Sequence, residues 1–194
     1  LGMAKRLMKR TIHLLLGFLI VCFVEPVFSQ HEHHAHGHDG MDMDRDGMVM
    51  HANYDRLPKD CEQLSEAVSI KVNIGRNYAK PGYTFGYDLH EYRVPACSQV
   101  TVNVTNEDDV RHQWMVHGLP RYLYPQGMFH MEVNGGKSRS GTFIVPSDAK
   151  TYLVHCDMAQ HMEKGLKAQL VVGESKTTLP NIPGVSTITS SDQY

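Results

Sequence analysis

Residues 152–166 read YLVHCDMAQHMEKGL, so Cys156 stands between His155 and Asp157 and His161 follows five residues later. A thiolate and an imidazole at that separation can meet over one short loop, and soft sulfur with nitrogen donors suits a transition metal. Upstream, the stretch NEDDVRHQWMVHGLP (106–120) offers two more imidazoles, His112 and His117. A nucleophilic Cys–His pair is the competing chemistry. Cys156 ends an apolar alternating run with no helix start to lower its pKa, which argues against that role.

The elements that must position these groups are short and alternate apolar with polar residues. AVSIKVNI (67–74), TFGYDLHEYRV (84–94), SQVTVNVTN (98–106), HQWMVHG (112–118), MFHMEV (128–133), SGTFIVP (140–146), TYLVHC (151–156) and LKAQLVV (166–172) each read as a strand. Pro, Gly and Asn-Asp clusters separate them. Seven or eight such strands with hardly any helical period predict an all-β, antiparallel Greek-key β-sandwich over residues 64–174. Pleating then sorts the side chains. Tyr152, Val154 and Cys156 share one face with Leu153 and His155 on the other; His112, Trp114 and Val116 share one face with Gln113, Met115 and His117 opposite. With the apolar-rich faces inward, Cys156 and His112 point to the core while His155 and His117 point away from it. His161 returns over its loop to the thiolate. One cysteine with two histidines is the trigonal donor set of a type 1 copper site. Structural zinc would want a fourth strong ligand, and none lies at a plausible spacing.

The chain has 194 residues, a net charge of −2, 13 histidines and 11 methionines. That charge gives no case for a nucleic-acid-binding surface. Residues 1–29 carry a basic start (Lys5, Arg6, Lys9, Arg10), an apolar run from Ile12 to Val24 and small residues Val27 and Ser29, the pattern of a cleaved export signal. The apolar run is short of the ~20 residues that span a bilayer, so no stable membrane anchor is expected. Export to a periplasmic or extracellular compartment leaves Cys61, Cys97 and Cys156. The first two sit in polar, proline-flanked connections and are expected to pair as a disulfide, which reserves Cys156 for metal. Residues 30–63 are expected to be a disordered metal-binding tail, with His31, His33, His34, His36, His38, Met41, Met43, Met48, Met50 and His51 as donors. Imidazoles mixed with thioethers favour copper over zinc. Asp42, Asp44, Asp46 and Gly47 imitate the start of a calcium loop, but its twelfth position is Asn53 and no helical pattern flanks it. Residues 175–194 read as a polar C-terminal tail without chemistry.

HCDMAQHMEKGL resembles the copper loop of the cupredoxin family, most closely the version that closes multicopper oxidases. NEDDVRHQWMVHGLP is similar to the family's upstream ligand segment. The resemblance covers roughly residues 66–173 and implies His112, Cys156 and His161 as copper ligands. It puts Leu166 at the axial position, as a residue that cannot coordinate. Departures bear on activity. Asp157 stands where a multicopper oxidase has a second histidine beside its cysteine. His155 and His117 match the catalytic-copper histidines of the copper nitrite reductases, to which the chain is partially similar, but Met115 stands where those enzymes have a catalytic aspartate.

The expected protein is thus an exported, type 1 copper protein, leaning away from enzymatic function. It would transfer electrons or handle copper for resistance or delivery, with copper ions and a redox or copper-handling protein as partners. The alternative is an oligomeric copper oxidoreductase with a second copper at His117 and His155, completed from a neighbouring subunit, for example by its His130 or His90.

Overall fold

The computed structural model describes residues 41–186. The expected export signal and the expected tail donors His31, His33, His34, His36 and His38 lie outside the described residues, as does the end of the chain from 187.

Eleven strands form among the described residues: β1 (Met41–Asp44), β2 (Gly47–Met50), β3 (Ala67–Gly75), β4 (Gly86–Tyr87), β5 (Glu91–Val94), β6 (Gln99–Asn106), β7 (His112–His117), β8 (Met128–Val133), β9 (Ser138–Ile144), β10 (Lys150–His155) and β11 (Lys167–Val172). They make two sheets, one of seven strands in the order β1-β2-β8-β7-β10-β11-β5 and one of four in the order β4-β3-β6-β9. The expected β-sandwich is therefore present. Its pairings are mostly antiparallel, with β3–β6 and β5–β11 parallel.

Alternation in the sequence becomes alternation in burial. In β6, Val100, Val102 and Val104 are buried while Gln99, Thr101, Asn103 and Thr105 are half-exposed. Trp114 of β7 is fully buried and meets Tyr92, Phe129 and Phe143, with its ring 5.9 Å from Tyr92. Phe129 and Phe143 stack at 4.6 Å across the two sheets. This aromatic centre packs β7 and β8 of one sheet against β9 of the other.

Three expectations need correction. Residues 41–63 are not a disordered tail. MDMD and GMVM pair as a hairpin around Arg45–Asp46, and β2 adds to β8 with Val49 opposite Met131 in the core. Gly47 has φ 148°, and a Cβ there would fall 2.0 Å from the Glu132 carbonyl oxygen, so only glycine fits. Arg139, itself buried, bonds the carboxylate of Asp42 at 2.7 Å and pairs with Asp44. The acidic residues that imitate a calcium loop are thereby engaged in a hairpin. Beyond it, Asn53 is buried and donates to Tyr124 Oη and to the Arg56 carbonyl. Second, TFGYDLHEYRV is not one strand: β4 and β5 lie in different sheets, and Asp88–His90 crosses between them. Third, residues 175–186 pack back on the domain. Leu179 N–H donates to Gln169 Oε1, and Ile182 is 1% exposed.

Cys61 and Cys97 form the expected disulfide. It ties the segment after β2 to the turn before β6. Cys61→Ser should leave the fold recognisable but lower unfolding free energy by about 2–5 kcal/mol, read from chemical denaturation. An unchanged midpoint would show that the bridge constrains little.

Candidate metal centre

β7 begins with His112 and β10 ends just before Cys156, and the two strands are paired antiparallel in the same sheet. Both side chains are fully buried at one end of the core, as pleat alternation requires. The segment after Cys156 turns back so that His161 Nδ1 lies 3.5 Å from Cys156 Sγ and 3.1 Å from His112 Nδ1. The ligand atoms of all three residues lie within 4.8 Å of one another, and among the described residues this is the one cluster of three His, Cys, Asp or Glu groups so gathered.

The loop 156–166 is held by its own backbone. Cys156 N–H donates to the Leu166 carbonyl at 3.1 Å and Leu166 N–H to the His161 carbonyl at 3.1 Å. Leu166 is fully buried. Gly165 has φ 115°, and a Cβ there would sit 2.2 Å from the Phe85 carbonyl oxygen, which lets the segment 84–85 lie against the loop. Thr84 and Phe85 N–H both donate to the Lys164 carbonyl. The Phe85 ring then covers both imidazoles, 4.9 Å from His112 and 4.8 Å from His161.

A second support stands behind His112. Its Nε2 donates to Asp108 Oδ2 at 2.7 Å, which leaves Nδ1 as the free lone pair facing His161 and the thiol. Asp108 is itself buried and receives the Arg76 backbone N–H on Oδ1 at 3.1 Å. Asn106 organises the turn: its amide donates to the Val110 and Val133 carbonyls, and its Oδ1 accepts from Asp108 N–H. Sequence reading missed Phe85 and Asp108. The i, i+4 spacing of Asp108 and His112 was visible, but in a turn that spacing does not specify a contact.

Burial pushes the Cys156 thiol up to about 11 and holds His112 and His161 below the usual imidazole range. At neutral pH the site is therefore a neutral thiol with two neutral imidazoles. Metal uptake must displace the thiol proton.

His117 and His155 lie on the opposite face of the large sheet, as expected, with ring centroids 4.9 Å apart. That face is less open than its direction suggests: Met115 is 2% exposed and His155 7%. His117 Nε2, His155 Nδ1 and His130 Nε2 are buried without a hydrogen-bond partner. His90, expected to serve such a pair from a neighbouring subunit, bonds the Lys167 carbonyl of its own chain through Nδ1 at 2.7 Å. Of the expected tail donors, Met41, Met43, Met48 and Met50 stand on the hairpin, and His51 bonds the Met128 carbonyl through Nδ1 at 3.0 Å.

Solved structures that resemble the chain include blue copper proteins and copper oxidases. Auracyanin A, a blue copper protein from Chloroflexus aurantiacus, is 22% identical, with 55% of this chain and 99% of that one covered and a TM-score of 0.44. An auracyanin from Roseiflexus castenholzii is 20% identical over 57% and 98% of the two chains, TM-score 0.44. The blue copper oxidase of Nitrosomonas europaea is 20% identical, also with a TM-score of 0.44. There the match takes in 59% of this chain and 41% of the oxidase, so this chain corresponds to less than half of that enzyme. No protein-family model and no curated protein matches the chain.

Proposed function

We propose that the protein is an exported type 1 copper protein that transfers electrons or handles copper. The observation that carries this reading is the buried convergence of His112 Nδ1, Cys156 Sγ and His161 Nδ1 within 4.8 Å. One thiolate and two imidazoles suit copper in either oxidation state, and three donors without a fourth strong one are poor for structural zinc. Copper so held would supply a single-electron couple. The chain's own residues do the rest. Asp108 orients His112, the closed loop 156–166 fixes Cys156 against His161, and Phe85 packs over both imidazoles. A donor set held from three sides need move little when the metal changes charge.

The Cys61–Cys97 disulfide supports an oxidising compartment. Among the described residues no helix is long and apolar enough to cross a membrane. With the basic, apolar and small-residue pattern of residues 1–29, the compartment we assign is the periplasm or the exterior.

Copper-loaded protein should show an intense visible band from thiolate-to-copper charge transfer, checked by absorption together with a metal count. A colourless Cu(II) complex would overturn the reading. Leu166 is proposed to occupy the axial position; Leu166→Met should then lower the reduction potential in voltammetry, because an axial thioether tunes such a site. An unchanged potential and spectrum would remove Leu166 from the metal's surroundings.

A further inference from the structure

The register of the large sheet sets five soft donors in a single line across five neighbouring strands. Met41 of β1 is directly opposite Met50 of β2, and Met50 is opposite His130 of β8. His130 is opposite Met115 of β7, and Met115 is opposite His155 of β10. Residues directly opposite in antiparallel strands point to the same face, with Cβ atoms about 4.5–5.5 Å apart. Met41, Met50, His130, Met115 and His155 therefore form one continuous row on the face away from the core. His117 stands beside its inner end, its ring 4.9 Å from that of His155.

The neighbouring row shows that this is not the general character of the sheet. One residue along, Asp42, Val49, Met131 and Trp114 follow the same path over the first four strands, and the last three are core.

The row is exposed at its Met41 end and buried from His130 onward. Met41 is 39% exposed, His130 9%, Met115 2% and His155 7%. Met115 is buried yet stands outside the core cluster, so inward packing does not account for it. His130 Nε2, His155 Nδ1 and His117 Nε2 have no hydrogen-bond partner although all three are buried. A buried imidazole nitrogen without a partner is costly unless something else uses its lone pair. Thioethers among imidazoles favour copper over zinc, and Cu(I) above all.

We propose that this row is a Cu(I)-binding track. It takes the ion at the exposed Met41–Met50 end, passes it by His130, and holds it at the buried end on Met115 with the paired imidazoles of His155 and His117. Adjacent donors lie within one cross-strand spacing, so the ion can pass by exchanging one ligand at a time without ever being free. No electron moves in this transfer. The inner end is one residue from Cys156 along the chain. The track deepens the copper-handling reading, from which it takes only the identity of the metal; its ligands are separate from the type 1 set.

The test titrates the full chain with Cu(I) against a chromophoric Cu(I) chelator, and with Ag(I) as a redox-inert stand-in followed by NMR. Wild-type protein should show Ag(I)-dependent shifts of the Met50 and Met115 methyl groups and of the His130 and His155 ring nitrogens. The double variant Met50→Leu, Met115→Leu conserves volume and should still fold. It should lose one Cu(I) equivalent, or bind it at least about tenfold more weakly, while keeping the type 1 absorption. Unshifted Met50, Met115, His130 and His155 signals in the wild type would overturn the track, as would a double variant that competes for Cu(I) like the wild type. Loss of the visible band in wild-type protein would instead strike the type 1 reading and leave this result standing.

Discussion

Replacing Cys156 with serine is expected to abolish the visible band of the copper-loaded protein altogether. The band requires a sulfur-to-copper transition, and Cys156 is the one free cysteine among the described residues. A second quantity should vanish with it. The thiol titrates at about 11 because burial disfavours its thiolate, so at neutral pH it carries a proton that Cu(II) must displace. The two imidazoles are held below their ordinary range by burial and are already neutral there. Cu(II) uptake near pH 7.5 should therefore release about one proton per ion in the wild type and almost none from the serine variant. Stopped-flow mixing in weak buffer with a pH indicator measures both. The sign follows from the direction of the shift: release occurs below the thiol's raised pKa and fades as pH rises through it. A serine variant that kept the band, or a wild type that took up Cu(II) without proton release, would displace Cys156 from the metal.

The second large effect belongs to Asp108. Asp108→Asn should weaken Cu(II) binding by about 10–100-fold, the usual cost of removing the carboxylate behind a metal-bound histidine. His112 is fully buried and its Nε2–H meets Asp108 at 2.7 Å, so the carboxylate both selects the tautomer and makes Nδ1 a better donor. Loss of that charge disfavours the more positive ion, so the reduction potential should rise as well. Competition against a Cu(II) chelator reads the affinity and voltammetry the potential. A merely structural role would lower thermal stability and leave the potential of the loaded protein where it was. An affinity within twofold of wild type would show that His112 is oriented by the turn alone.

How much of this was legible beforehand differs from element to element. β6 and β10 could be read almost to the residue, because half-buried strands write their two faces into alternate positions. The same alternation put Cys156 and His112 on the core side and His155 and His117 on the other. The hairpin of β1 and β2 also alternates, and its Arg-Asp-Gly turn is an ordinary hairpin signal. It was hidden by composition: Met and Asp in turn look like a solvated tract, and only the pairing of Val49 with Met131 shows that one face is core. β4 and β5 read as one strand because nothing local marks a crossing between sheets.

The amino-acid sequence by itself determined the strand-rich class, the Cys61–Cys97 pairing, and the thiol and imidazoles of the candidate metal centre. Those follow from side-chain chemistry, cysteine count and a period of two, all of which are local. Tertiary structure alone decided that Asp108 meets His112, that Phe85 covers the site, and that Met41, Met50, His130, Met115 and His155 fall in one line. Each of those depends on strand register or on how a turn closes. Register is set by the packing of the whole core, so residues as far apart in sequence as 41 and 155 fall on one line through contacts that neither of them makes.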